Sequence, residues 1–451
     1  MTHSAEQKPS LSNREILKTW WPLAISWLMM SLESTLLAAV VARLPEARLN
    51  LAASGGIMQP IRQVMNSPIT MLLSASTALV RDWATYKKLL RFMTILSGAM
   101  TGMLILFTFT PLYYFLAHDI LGAPEELYQL ARWGLMASIP ICYAVAYRRL
   151  HQGILIRNGL ASAIMVGTAI RITGYILVLV ACYVIHVIPG TVVEAAALSV
   201  GVVAEAVYTG IRVQPVLKYQ VQTAPPAEPL SWRSFFAFYI PLVFTSLLNM
   251  IWSPISSMAI SRMPRAIDSL AVLPVVNSLI SLFRSFGLAL NEVTVTLLDK
   301  PNAPARLARF ALYVGIATTS VFCLIALTPL SDVWFGTVTG LAPDLAALGQ
   351  IALLIAIPLP ALSVIRSWSQ GILLFGRKTR SISEAMAMSL VALALILVIG
   401  VIWGKTPGLY FGVAGLLAGN ISQATWLWSR GRVVLANLKV KTEAGNPVLA
   451  V

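Results

Sequence analysis

The sequence predicts an all-α integral membrane protein with about twelve transmembrane helices in two pseudo-symmetric six-helix bundles. Composition, the spacing of apolar runs and an internal repeat all lead to this fold class. Of the 451 residues, 57% are hydrophobic and only 11% are charged. That is too little charge to cover the surface of a soluble protein of this size. We therefore expect a chain that crosses the membrane many times.

Apolar runs of the necessary length recur along the whole chain. About 20 apolar residues are needed to cross roughly 30 Å of hydrocarbon as a helix. The runs that we interpret as spans are 18–43, 52–79, 90–116, 127–150, 160–186, 192–213, 235–262, 268–298, 306–328, 345–370, 381–403 and 408–430.

The charges of the connecting segments predict the orientation. The connectors alternate between basic segments, such as 81–91 and 300–309, and short neutral or acidic ones, such as 119–126. Cytoplasmic loops carry the excess of Lys and Arg, and both termini belong to the basic set. We therefore predict cytoplasmic termini, an even number of spans, and a location in the plasma membrane, or in the inner membrane of a Gram-negative bacterium.

The two halves of the chain repeat one pattern at an offset of about 219 residues. The matched positions are Pro22 with Pro241, Arg43 with Arg262, Pro45 with Pro264, and the segment 148–155 with 366–373 at an offset of 218. The repeat predicts a cytoplasmic tail (1–17), an N-lobe (18–216), a cytoplasmic linker (217–234), a C-lobe (235–432) and a second tail (433–451). Two such lobes are typical of a transporter.

Composition also argues against several classes of protein. The net charge of +15 is spread over many segments, which favours contact with anionic lipid headgroups over nucleic acid. The three cysteines and four histidines show no metal-ligand or disulfide spacing. We therefore expect no cofactor, no metal, no enzymatic activity and no nucleic-acid partner, and we expect a monomer.

Several segments resemble a known family. The aromatic-x-Pro-Leu entries at Trp20 and Tyr239, the Pro254-to-Arg262 stretch and the stretch from Pro360 to Thr379 resemble the progressive ankylosis transporters. This branch belongs to the MOP superfamily, which also holds the MATE multidrug extruders and the flippases of lipid-linked saccharides. The resemblance implies two six-helix bundles around a cavity that opens alternately to either side, and export of anions such as citrate, pyrophosphate or nucleotides. The sequence departs from the family's pattern near Asn249 and Ser253, which leaves the identity of the anion open.

Polar side chains inside apolar spans are the candidate functional residues, because ionisable groups at membrane depth are costly and usually serve a function. The substrate-binding candidates are Arg284, Arg62, Arg171, Asn249, Asn277 and Asn66; the inner-mouth gate candidates are Arg148 and Arg366; the candidates for ion coupling are Glu33 and Glu205. Arg284 is the strongest candidate, since Met65 occupies the matching position of the first half.

Each candidate also has a structural interpretation. Glu33 and Arg62 are as well suited to neutralise each other in a structural ion pair as to serve a function. Arg171 is suited to pair with Glu205. Arg148 and Arg366 are equally suited to extend toward lipid headgroups. These alternatives remain open from the sequence alone.

The excess of buried arginine over acid favours a secondary active exporter of organic or phosphorylated anions, with H⁺ or Na⁺ as the coupling ion. A first alternative is an ion-coupled extruder of cationic drugs that uses Glu33, Glu205 and Glu292. A second is a flippase for lipid-linked saccharides, whose pyrophosphate headgroup is also an anion. A scaffold without transport activity is the weakest alternative, because it leaves the buried charge in both halves unexplained.

Overall fold

The structure is a computed structural model that describes residues 11–160, 162–185, 187–225, 230–298, 300, 302–376 and 378–443. These residues form helices and short connections, with no β-strand among them. The α-helices are α1 (Asn13–Val41), α2 (Ala47–Ala53), α3 (Gln59–Thr70), α4 (Leu72–Leu79), α5 (Trp83–Phe109), α6 (Leu112–Tyr114), α7 (Tyr128–Ala137), α8 (Ile139–Arg157), α9 (Ser162–Ile185), α10 (Gly190–Val216), α11 (Trp232–Met250), α12 (Trp252–Ile260), α13 (Ala266–Leu297), α14 (Ala303–Leu327), α15 (Leu330–Asp332), α16 (Pro343–Ala356), α17 (Leu359–Phe375), α18 (Thr379–Trp403) and α19 (Gly408–Glu443).

The predicted fold class is confirmed. Eight helices of the described residues are long and apolar enough to cross a membrane, and the number rises to ten when two bent helix pairs each count as one span. The second predicted span is a series of shorter helices from α2 to α4, and the last corresponds to α19. The total of twelve spans and the cytoplasmic termini stay predictions.

Packing divides the chain into two compact units, each built from both halves of the sequence. The first unit is 39–271, and the second combines the chain up to residue 38 with 272–451. In the second unit, the Trp20 indole donates to the Phe286 carbonyl at 3.0 Å, which fastens α1 to α13. In the first unit, the Tyr239 hydroxyl donates to the Pro68 carbonyl at 2.6 Å, which fastens α11 to α3. The predicted lobes follow the repeat in the sequence, and their boundaries stay a prediction.

The repeat is visible in local geometry. Glu46 and Arg265, which are 219 positions apart, both adopt positive φ, at 52° and 54°. Arg43 donates to the carbonyl four residues before it at 2.7 Å, and Arg262 does the same at 2.7 Å. The pair α7 and α8, with the short helix before it, bends by 41°, and the pair α16 and α17 bends by 43°. The two halves therefore fold as versions of one structural unit.

Two glycines at matching positions of the repeat, Gly153 and Gly371, allow close helix packing in both halves. A Cβ added to Gly153 would lie 2.6 Å from the Leu73 carbonyl oxygen. At the matching Gly371, a Cβ would lie 2.9 Å from the carbonyl oxygen of Asn291. Backbone atoms cannot move aside cheaply, so α8 and α17 each approach a neighbouring helix only because these residues have no side chain.

This packing gives a first prediction. We expect Gly153→Ala to lower the free energy of unfolding by about 1–3 kcal/mol, since an added methyl group would force two helices apart. Gly98 is the matched control, because it also lies inside a helix but has no atom within 4 Å of its added Cβ. We expect Gly98→Ala to be neutral or slightly stabilising. Thermal unfolding of both variants in detergent measures the difference, and equal melting temperatures would contradict the prediction.

Candidate functional site

The first unit contains a buried cluster of charges around Glu205. This carboxylate is 1% exposed, and it forms ion pairs with Arg148 and, at 3.2 Å, with Arg171. Its other oxygen accepts a hydrogen bond of 2.9 Å from the Gln152 amide. Arg149 lies within electrostatic range of the same groups. Three arginines therefore surround one carboxylate, so the cluster carries net positive charge.

Close helix packing positions this cluster. Arg148 and Gln152 lie one turn apart on α8, Arg171 lies on α9, and Glu205 lies on α10. A Cβ on Gly201 of α10 would come within 2.8 Å of the Arg171 carbonyl oxygen. This glycine therefore lets α9 and α10 approach closely enough for the guanidinium group of Arg171 to reach Glu205.

A second ion pair of the first unit joins Arg62 and Glu194. Glu194 is 2% exposed, and its two oxygens are bound by the Arg62 guanidinium and by the Ser54 hydroxyl, which sits in the π-helical segment Ser54–Met58. Glu194 lies four residues after the start of α10, about 6 Å along the helix. The structure therefore gives Arg62 an acid that the sequence did not indicate, and the pair lies near the beginning of α10.

In the second unit, an arginine and a neutral amide occupy the positions that match an arginine and a carboxylate of the first unit. Arg366 of α17 and Gln423 of α19 match Arg148 and Glu205 at an offset of 218. The Arg366 guanidinium donates to the Gln423 side-chain oxygen at 3.3 Å. An amide therefore occupies the place of a carboxylate, and Arg366 keeps its charge without compensation from this partner.

Arg284 adds a second positive charge in this unit. It lies on α13, eighteen residues after the start of the helix, and its guanidinium interacts electrostatically with that of Arg366. The Nε atoms of both arginines are buried and have no hydrogen-bond partner among the described residues. No ion pair of either arginine occurs in the described part of the chain. Two like charges are thus held near each other without a carboxylate.

The remaining candidates have less definite surroundings. The Asn66 amide donates to the Arg62 carbonyl at 2.9 Å, while its buried oxygen has no partner within the described residues. Asn277 is half-buried on α13, and Glu33 is half-buried on α1 and makes contacts of its own. Asn249 lies in α11, but its side chain falls outside the part that the structure describes.

Sequence reasoning missed Glu194, Gln152 and Gln423. Glu194 stands close to the predicted start of a span, where an acid has no obvious significance. Gln423 could have been found, because the repeat aligns it with Glu205 and thereby shows that a carboxylate in one half is an amide in the other. Within the described residues, no three His, Cys, Asp or Glu side chains are grouped in a way that could hold a metal ion.

No protein-family model matches the sequence, and no curated protein matches it. Solved structures do match. A multidrug resistance MATE family transporter of the MOP superfamily, solved inward-facing, is similar with a TM-score of 0.70 and 15% sequence identity over 93% of this chain and 98% of that chain. The chain has the fold of the MOP transporters. A MOP superfamily transporter from Pyrococcus furiosus matches with a TM-score of 0.59 and 16% identity, over 96% of this chain and 100% of that one.

The same MOP fold includes a flippase. The lipid II flippase MurJ, in its inward closed conformation, matches with a TM-score of 0.58 and 13% identity over 90% of this chain and 87% of that chain. Similarity at these identities establishes the fold and leaves the substrate to be argued from the side chains.

Proposed function

We propose that this protein is a secondary active transporter that exports small organic or phosphorylated anions, such as citrate, pyrophosphate or nucleotides, by alternating access. The observation that carries the proposal is the pair Arg284 and Arg366. The two half-buried arginines are held near each other with their Nε atoms buried, and neither has a carboxylate partner among the described residues. Unpaired buried charge is costly, so a site that keeps two such charges is suited to a ligand that neutralises them.

The charged groups of the first unit also favour an anionic cargo. Its buried carboxylates Glu194 and Glu205 are each engaged by at least one guanidinium group and one further donor. A cation would have to displace these donors to bind either acid. The sign of this cluster favours an anion, because Arg148, Arg149 and Arg171 outnumber Glu205.

The structural neighbours permit this assignment. Most are described as MATE transporters, but the work on the Pyrococcus furiosus protein describes a reverse polarity of its binding pocket and suggests a different function. A change in pocket polarity is thus compatible with the MOP fold. Membership of the progressive ankylosis branch, which the sequence resembles, belongs to the same proposal.

Coupling to H⁺ or Na⁺ is part of the proposal, with Glu33 as the first candidate. Glu33 is half-buried and makes contacts of its own, and Glu205 is enclosed by Arg148, Arg171 and Gln152. Glu205 would have to give up one of these contacts to accept a coupling ion, so we assign it to holding the charge cluster together.

A MATE-type extruder of cationic compounds is the second candidate, because the matching structures include MATE family transporters in inward-facing and outward-facing conformations. Such an extruder would use Glu33, which is half-buried, and Glu292, which is exposed. The two candidates differ in the charge of the cargo, which a transport assay separates directly.

We expect Arg284→Gln and Arg366→Gln each to reduce anion transport at least tenfold, because each removes a charge that the cargo would neutralise. Proteoliposomes loaded with radiolabelled citrate, pyrophosphate or ATP measure the rate at fixed ionic strength. Arg380→Gln is the control, since Arg380 is exposed and pairs with Glu384 one turn away. Wild-type anion rates in both variants would disprove the proposal, and efflux of cationic dyes abolished by Glu33→Gln would favour the second candidate.

A further inference from the structure

The second unit contains an apolar groove that opens on its surface. The groove has a volume of about 710 Å³ and lies between α14, α17 and α19. Small residues such as Ala308, Gly315, Ala361 and Ala424 form its floor and walls. Along α14 it runs from Ala308 to Ser320, which corresponds to about 18 Å, or roughly half the thickness of a bilayer.

The matching place in the first half is filled by the protein itself. Gly210 corresponds to Trp428 of the groove, and Tyr147 corresponds to Ile365. The hydroxyl of Tyr147 lies only 2.7 Å from where a Cβ of Gly210 would stand. An aromatic side chain therefore packs against α10 in the first half, whereas Ile365, 41% exposed, lines an open groove in the second. The groove is thus specific to the second half of the repeat.

The groove combines apolar walls with basic residues at one end. Arg432 stacks over the ring of Trp428, which lines the groove, with 4.7 Å between the guanidinium carbon and the ring centroid. Arg309 follows Ala308 directly on α14. Both arginines are exposed and lie on the side that we predict to be cytoplasmic. A ligand with an apolar tail and an anionic head would match this distribution of charge.

Two polar atoms inside the groove lack partners. The indole nitrogen of Trp368 and the hydroxyl of Thr319 are buried, and neither has a hydrogen-bond partner among the described residues. Both residues line the groove. A purely hydrocarbon occupant would leave these donors unsatisfied, whereas the ester oxygens of a glycerolipid, which lie next to its phosphate, can accept from the Trp368 indole.

We propose that this groove is a binding site for one anionic phospholipid, with an acyl chain between α14, α17 and α19 and the phosphate beside Arg432 and Arg309. The lipid would complete the packing that Tyr147 supplies in the first half. Attraction between the phosphate and the basic residues gives selectivity for an anionic head, and burial of the acyl chain in the groove stabilises any phospholipid.

The test titrates delipidated wild-type protein with dioleoyl phosphatidylglycerol or dioleoyl phosphatidylcholine, and native mass spectrometry counts the bound lipid. We expect a single preferred phosphatidylglycerol, bound at least fivefold more tightly than phosphatidylcholine. Ile365→Tyr, which installs the side chain of the first half, should weaken this binding at least fivefold, and Ala361→Tyr is a second variant that fills the groove. Val391→Tyr, at another exposed apolar position on α18, should bind lipid like the wild type.

The headgroup is tested separately. Arg432→Ala should bring the affinities for the two lipids to within twofold of each other, while Arg380→Ala, away from the groove, should leave the preference intact. Equal binding of the two lipids by the wild type would overturn the proposal. Undiminished phosphatidylglycerol binding in both tyrosine variants would overturn it too, as would a groove covered by a second copy of the chain, seen as a dimer that dissociates in Ile365→Tyr.

Discussion

Replacing Glu205 with glutamine is expected to lower the free energy of unfolding by about 3–5 kcal/mol. Glu205 is buried, and its carboxylate pairs with Arg148 and Arg171. The variant keeps the shape of the side chain but removes the negative charge that faces these two guanidinium groups. Unfolding in detergent, followed by intrinsic fluorescence, measures the loss.

Two comparisons make this prediction specific. Glu384→Gln removes an acid from an exposed ion pair with Arg380, which should cost no more than about 1 kcal/mol. Adding Arg148→Gln to Glu205→Gln should recover part of the lost stability, because the double variant also removes one of the positive charges that Glu205 faces. If Glu205→Gln and Glu384→Gln unfold at the same temperature, the buried cluster does not stabilise the protein as we infer.

The sequence was sufficient to predict the fold class because its signals are long and redundant. Apolar runs, the alternation of basic connectors and a repeat spread over hundreds of residues all report the same architecture. The repeat also aligns Gly153 with Gly371, and both glycines lie where two helices pack closely, so the two halves share a steric requirement.

The contacts of individual charges were only partly predictable. Arg171 and Glu205 do pair, as one interpretation had it, because both lie well inside neighbouring spans. Arg62 pairs with Glu194, an acid that the depth of the residues along the spans did not indicate. Depth along a span cannot distinguish such partners, since it fixes neither the face of the helix nor the direction in which a long side chain extends. Three-dimensional packing was needed to choose between the acids.

The repeat explains where the two halves diverge in chemistry. Arg148 and Arg366 are equivalent, but their partners are Glu205 and Gln423. The first half thus neutralises its arginine within the protein, whereas the second leaves the charge available. If the second half binds the anion, this single difference between carboxylate and amide should control transport.

Gln423→Glu is accordingly expected to reduce anion transport at least tenfold while leaving the protein as stable as the wild type or more so. The new carboxylate would stand at the position from which Gln423 accepts the hydrogen bond of Arg366, and it would recreate the ion pair of the first half. The measurement is export of labelled anion from proteoliposomes, together with the melting temperature of the same preparation.

A neutral replacement separates charge from the hydrogen bond itself. Gln423→Ala removes the contact with Arg366 but leaves the guanidinium charge, so we expect it to retain more transport than Gln423→Glu. Equal losses in the two variants would mean that the amide contact matters and the charge does not. Full transport by Gln423→Glu would show that Arg366 is not required as a free positive charge, which would remove the main support for an anionic cargo.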